Sequence, residues 1–302
     1  MGEILIKAAC FVAIIILGFV LRRVGVFRES DFRVLSTITL KITLPAAIVY
    51  NFSQMTMDAS MLIISVIALG CGILYMVLAF LVNLRSSRGQ QAFDVLNLPG
   101  YNIGLFAMPF VSGFLGATGG VTTSLFDTGN AFVCLGGSYG VAASVSDGSG
   151  FSLKRILKAL VTSVPFMTYI VMITLNLTGL RLPAPVISLA DTIRGANTFM
   201  AMLMLGVGFK LEANKSQILQ ILKLVLLRYA VAAALGCVFY FLLPFEPEIR
   251  QTMVLLVFSP IGAAAPAFTA EIKGDIGLSS AVNSITILCS IVFMTVLMLV
   301  MF

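Results

Sequence analysis

Ten apolar stretches, each of about the length that crosses a bilayer, follow one another along this chain with only short connections between them. They lie at about 4–22, 34–52, 61–84, 99–115, 121–145, 157–178, 186–209, 216–243, 251–270 and 277–301. A helix rises about 1.5 Å per residue, so about 20 residues cross a hydrocarbon core about 30 Å thick. A water-soluble fold is excluded by the same residues. Hydrophobic side chains make up 59% and charged ones 11%, where soluble domains carry about 25% charge. The expected class is an all-α membrane protein with ten transmembrane helices. The fourth, seventh and ninth stretches are shorter, more polar or interrupted by Gly and Pro.

Basic residues set the orientation. Arg22, Arg23, Arg28, Arg33, Arg85, Arg88, Lys154, Arg155, Lys158, Lys210, Lys215 and Lys273 fall in or beside the connections that follow odd-numbered spans. Only Arg181 and Arg250 fall in the others. Positive charge is retained on the cytoplasmic side, which predicts both termini outside and an even number of spans. The Met1-Gly2-Glu3 start has no basic lead and no clear cleavage site follows. The first stretch therefore reads as a membrane helix, not a signal peptide.

Several chemistries drop out on composition. The chain has no histidine, which removes imidazole metal sites, Ser-His and Cys-His nucleophiles and histidine proton relays. The five cysteines (Cys10, Cys71, Cys134, Cys237 and Cys289) sit singly in apolar segments and read as packing residues. The net charge of +6 is spread over connections and forms no contiguous face, so no nucleic-acid partner is expected. No Walker loop or dinucleotide fingerprint is present, and no cofactor is called for.

Five spans per half make any internal repeat inverted, because the second half starts on the opposite face. Asn102, Pro109 and Gly116 in span four are paralleled by Ser259, Pro266 and Gly274 in span nine. Asp127 and Asn130 in span five are paralleled by Asn283 and Thr286 in span ten, and Lys41 in span two by Arg194 in span seven. The repeats are placed at 1–148 and 149–302.

Three constellations carry chemistry. Tyr101 through Pro109 and Phe258 through Pro266 interrupt corresponding spans, and proline breaks a helix by lacking an N–H and clashing with the preceding turn. Paired breaks at membrane depth point to a binding site, and half-helix N-termini there suit an anion. The plain alternative is a proline kink in a buried helix. The candidate substrate-binding residues are Asn102, Ile103, Gly104, Met108, Pro109, Ser259, Ala265, Pro266 and Asn283. Asp127, with Asn130, is the candidate for proton or cation linkage, since a carboxylate within the membrane is costly. The alternative is a wet carboxylate near a helix end. Lys41 and Arg194 are candidate charge sites; Arg194 has Asp191 three residues before it, in reach of a same-face ion pair. Lys223 and Arg228 read as snorkelling side chains, and Glu271, Lys273 and Asp275 as a solvated turn.

Taken together these residues resemble the auxin efflux carrier family of bacterial and plant permeases. The resemblance rests on Leu21 through Val26, Leu35 through Pro45, Asn102-Ile103-Gly104 with Met108-Pro109, Leu205 through Gly208, and Pro266 through Asp275. It implies ten helices in two inverted five-helix repeats, with helices four and nine broken and crossing. It implies a scaffold of spans one, two, six and seven, and a moving domain of spans three to five and eight to ten. Substrates of similar proteins are small carboxylates, moved in an elevator-like cycle. The short connection between spans five and six favours a bacterial-type permease in the cytoplasmic membrane, with a homodimer through the scaffold among the implied arrangements. The fold also resembles sodium-coupled bile acid transporters and their arsenite and riboflavin relatives, leaving sodium coupling open. A channel is the main rival. Its continuous polar stripes are missing, since the polar residues cluster at the breaks. A sensor or assembly subunit would usually carry a soluble domain, and no connection is long enough for one. The serine dyad or paired aspartates of an intramembrane hydrolase are not apparent.

Overall fold

The computed structural model describes residues 2–147, 151–210 and 215–301, and all regular structure among them is helical. α1 (Gly2–Arg23) is one apolar helix. The second predicted span consists of α2 (Asp31–Ile38), a π-turn over Thr39–Thr43, and α3 (Leu44–Ser53). Pro45 explains the turn. It has no N–H to give, and the ladder widens just before it, with Leu44 N bonding to Thr39 O. α4 (Ile63–Val82) is unbroken.

The fourth span differs from expectation in both position and break. α5 (Arg88–Asn97) is capped by Ser87, whose Oγ accepts from Gln90 N at 3.3 Å. Residues 98–102 are non-helical, and a π-turn at Ile103–Ala107 then runs into α6 (Met108–Ser112). Arg88, expected in a connection, therefore opens a helix. Pro109 is not the break, because Met108 N reaches Ile103 O, the device already seen before Pro45. α7 (Gly116–Phe132), a π-turn at Val133–Gly137 and α8 (Ser138–Asp147) follow.

In the second half, α9 (Leu153–Thr162) and α10 (Val164–Leu177) meet at 76°. Ser163 stands at the bend and caps α10 by accepting from Phe166 N at 3.4 Å. α11 (Ala184–Arg194) and α12 (Asn197–Gly208) are separated at Gly195 and Ala196. α13 (Lys215–Leu242) is continuous, as is α16 (Ile276–Met301). Between them α14 (Pro247–Val257) and α15 (Ala265–Glu271) flank the non-helical residues 258–264. Pro260 lies inside this gap. Pro266 sits in the first turn of α15, where no intrahelical donor is needed.

Five helical segments among the described residues are long and apolar enough to cross a membrane: Gly2–Arg23, Asp31–Ser53, Ala59–Val82, Gln217–Leu242 and Ile276–Met301. The bent α9–α10 pair makes a sixth if read as one crossing. The other predicted spans are assembled from shorter helices.

α1 and α12 lie in backbone contact. A Cβ at Gly206 would meet Ile15 O at 2.1 Å, and one at Gly18 would meet Leu203 O at 2.4 Å. Small residues permit this approach, the commonest means of tight helix packing in lipid. α3 packs on α10 and α11, and α12 on α2, whereas α4 packs on α7, α5 on α8 and α13 on α14. Bonds tie the basic connections into one face: Lys210 pairs with Glu29, Arg155 with Glu271, and Gln217 donates to Asp275 at 2.6 Å. Glu271, Lys273 and Asp275 are exposed in or beside a turn, as expected, and Glu271 and Asp275 are also bonded members of that face. The expected repeat boundary at 148–149 and the side chain of Lys215 lie outside the described residues.

Candidate functional site

The two non-helical gaps touch. Asn102 N donates to Pro260 O at 2.9 Å, joining residues 98–102 to residues 258–264. Each gap is held from the side by a helix of its own half. Asn130 on α7 accepts from Tyr101 N at 2.9 Å and donates to Tyr101 O at 2.8 Å, taking both backbone groups of one residue. On α16, Thr286 accepts from Ile261 N at 3.3 Å, and Asn283 donates to Gly262 O at 3.3 Å. Asn130 and Thr286 are positions that the expected repeat would pair.

Arg228 on α13 lies beneath the contact, only 1% exposed. Its guanidinium donates to Leu98 O at 2.7 Å, Gly100 O at 3.0 Å, Ser259 O at 2.7 and 3.2 Å, and Pro260 O at 3.1 Å. Carbonyls beyond the C-termini of α5 and α14 are orphans of their helices, and one side chain satisfies them. The snorkelling expected of Arg228 is therefore incorrect, whereas the Lys223 side chain is partly exposed. Lys223 donates to Asn83 at 2.6 Å and to the buried Asp94 at 3.1 Å. A membrane-depth cation with carbonyls in reach has no reason to extend to the surface.

A cavity of about 330 Å³ opens beside the crossover. Tyr101 through Leu105, Gly262, Ala263, Asp127 and Asn130 form one wall. Leu40 and Leu44 of the second span and Ser163, Phe166 and Tyr169 at the α9–α10 bend form the other. Asn102 is buried and its Nδ2 has no hydrogen-bond partner among the described residues. Gly104 packs closely on its neighbours: a Cβ there would lie 2.7 Å from Leu44 Cδ2 and 3.3 Å from Asp127 Oδ2, so the Leu44 side chain would have to shift. The half-buried Asp127 accepts from Asn130 Nδ2 at 2.9 Å and from Tyr169 Oη at 2.8 Å. Both donors are neutral, and no cation pairs with Asp127 among the described residues.

A second cavity of about 320 Å³ lies on the other side of the crossover and shares Phe32, Ala263 and Ala267 with the first. It contains Pro266 and Asn283, and its mouth carries Glu29 and Lys210. Lys210 holds the Glu29 carboxyl below its usual range by hydrogen bond and charge.

The candidate residues thus divide. Asn102, Ile103, Gly104, Asp127 and Asn130 line the first cavity, and Pro266 and Asn283 the second. Met108, Pro109, Ser259 and Ala265 are buried and line neither. Lys41 is exposed on the π-turn of the second span. Arg194 pairs with Asp191 at 2.7 Å and stacks on Tyr50 at 3.7 Å. The structure brings neither base to the crossover. Sequence reasoning missed Tyr169 and Cys134. Tyr169 carries no signal short of knowing the α9–α10 bend. Cys134 read as filler, yet its Sγ lies 3.6 Å from Tyr101 O.

A family described as "Membrane transport protein" matches residues 4–146, the half that contains Asn102 and Asp127. An "Uncharacterized transporter" of Methanothermobacter thermautotrophicus is 26% identical over 208 residues, 66% of this chain and 65% of that protein. The match therefore spans just under two thirds of the relative's length. With the apolar helices, these matches support an integral membrane protein of transporter type.

Proposed function

We propose that the chain is a secondary transporter that moves a small organic anion, a mono- or dicarboxylate, by alternating access at the crossover. The observation that carries this reading is Asn102, a residue of the cavity wall whose buried Nδ2 has no hydrogen-bond partner among the described residues. An unpaired buried donor costs about 1–3 kcal/mol, and a ligand oxygen removes that cost. The amides that open the Ile103–Ser112 segment add donors and a positive dipole end beside it. A cavity of this size holds a small metabolite.

In this reading Asn102, Ile103 and Gly104 bind the carboxylate, and Pro266 and Asn283 do so from the other side. Met108, Pro109, Ser259 and Ala265 shape the backbone around them. Asp127 is the proton-linked group, faced by Asn130, Tyr169 and Cys134. Ten crossings in two inverted repeats, with spans one, two, six and seven as a scaffold, accommodate the packing of α1, α3, α10, α11 and α12 on one another. The resemblance to auxin efflux carriers and the match over residues 4–146 support the same reading.

The test is uptake of labelled malonate, malate and a monocarboxylate into proteoliposomes. Wild-type flux is expected to saturate and to show counterflow, and Asn102→Ala is expected to lower it at least about tenfold, the equivalent of one charge-assisted hydrogen bond. Unchanged uptake by folded Asn102→Ala would overturn the site, and flux without saturation or counterflow would make the protein a channel.

A further inference from the structure

Arg228 does more than brace a loop. Four carbonyls from two broken helices converge on it, those of Leu98, Gly100, Ser259 and Pro260. The rings of Tyr75 and Tyr101 flank the guanidinium, their centroids 5.5 and 5.0 Å from its carbon. Carbonyls at unwound helix ends are the ligands with which membrane carriers hold sodium, and aromatic faces also attract cations. Among the described residues no carboxylate pairs with Arg228. The register that relates Lys41 to Arg194 also relates Tyr75 to Arg228, and Tyr75 Oη donates to Arg228 O at 2.7 Å. The two central residues of the matching helices α4 and α13 thus meet directly under the crossover.

We propose that the Arg228 guanidinium is a tethered replacement for a coupling cation: it fills a carbonyl cage at the crossover, so the substrate site is assembled, and biased toward anions, without any inorganic cation. This rests on the transporter reading for its purpose but not for its test. An arginine suits the task because it stays charged and offers five donors in a fixed fork. It lies over the ring of Tyr101, a residue that lines the cavity.

The experiment measures thermal unfolding of the purified full chain in detergent. Wild-type protein is expected to melt at the same temperature in sodium, potassium or choline chloride at equal ionic strength. Arg228→Ala is expected to melt markedly lower and to regain at least about half of the loss in about 10 mM methylguanidinium chloride, as mass action on an opened cage requires. Choline should restore nothing. Should Arg228→Ala not yield folded protein, Arg228→Lys against Arg228→Met decides, and the lysine variant is expected to be the more stable. The proposal is overturned by sodium-specific stabilisation of the wild type, by Arg228→Ala melting as the wild type does, by failure of methylguanidinium to restore a folded Arg228→Ala, or by equal melting of the lysine and methionine variants. Absence of wild-type uptake would sink the transporter reading and leave these melting results standing.

Discussion

At the scale of the residue, the site is a set of polar atoms whose partners were chosen by the fold. Asp127 holds neutral donors on both oxygens, Asn130 on one and Tyr169 on the other. Asp127→Asn removes the titratable carboxyl while its amide can keep both contacts, its oxygen accepting from Asn130 Nδ2 and its NH₂ donating to Tyr169 Oη. Uptake by Asp127→Asn is expected to fall and to lose the pH dependence of the wild type, which a pH series in proteoliposomes checks. Tyr169→Phe removes one donor and should keep pH dependence at reduced rate. Glu29 at the mouth behaves differently. Lys210 depresses its titration below the ordinary 4.5, so the stabilisation is present above that value and is lost as pH falls through the depressed one. The pair is largely exposed, and its worth is under about 1 kcal/mol. Glu29→Gln should therefore leave the melting temperature nearly unchanged at neutral pH. Asn102, Asp127 and Asn130 were legible from the sequence because polar residues in apolar runs need a reason. Lys41 and Arg194 carried the same signal, yet one is exposed and the other is satisfied by Asp191 and Tyr50. Polarity says that a residue has a partner, not which one.

At the scale of the element, proline misled where glycine and asparagine did not. Pro109 was expected to split span four, but a π-turn absorbs its missing N–H and the gap lies upstream at residues 98–102. The gap has a local signal that was passed over, Pro99 followed by Gly100 at φ 78°, and it is then stabilised from far away by Arg228, Asn130 and Pro260 O. Unbroken apolar helices, α1, α4, α13 and α16, were legible because length and hydropathy alone decide them. The broken ones were displaced by up to about a dozen residues, since their ends are set by tertiary bonds and not by intrinsic propensity. The α1–α12 contact was not read from the sequence, where Leu205 through Gly208 entered only as part of the resemblance. Its cause is the meeting of Gly206 with the Ile15 carbonyl. Gly206→Val is expected to force these helices apart at a cost of several kcal/mol, at about the exceptional end for one substitution, seen as loss of a monodisperse peak on size-exclusion chromatography. Gly2→Ala, with open space around it, is the matched control.

At the scale of the whole molecule, the two ends of the crossover are unlike. Both cavities are lined by the ends of elements that lead to the face of Glu29 and Lys210. At the other end, helices of the proposed scaffold and of the proposed moving domain are in direct contact. Phe11 of α1 meets Phe110 and Phe114 at 5.6 and 6.3 Å between ring centroids, Lys7 donates to Gly113 O at 2.8 Å, and Asn51 Nδ2 reaches Met108 Sδ at 3.6 Å. Every one of these contacts joins α1 or α3 to α6 or the turn that follows it. Alternating access requires that they break while the cavity mouth shuts, because a site open at both ends would leak and one closed at both would not turn over. The proposed orientation makes the end with these contacts the outer one. In a chain with its native cysteines replaced, Phe11→Cys with Phe114→Cys should be joined by a short bifunctional thiol reagent, and joining should abolish uptake. A reducible reagent should give uptake back on reduction. Either single variant treated alike should keep transporting. If the joined protein carries substrate at the wild-type rate, the α1–α6 contact is not a gate, and the moving part must be sought at the α7–α10 contact, where Asp127 meets Tyr169.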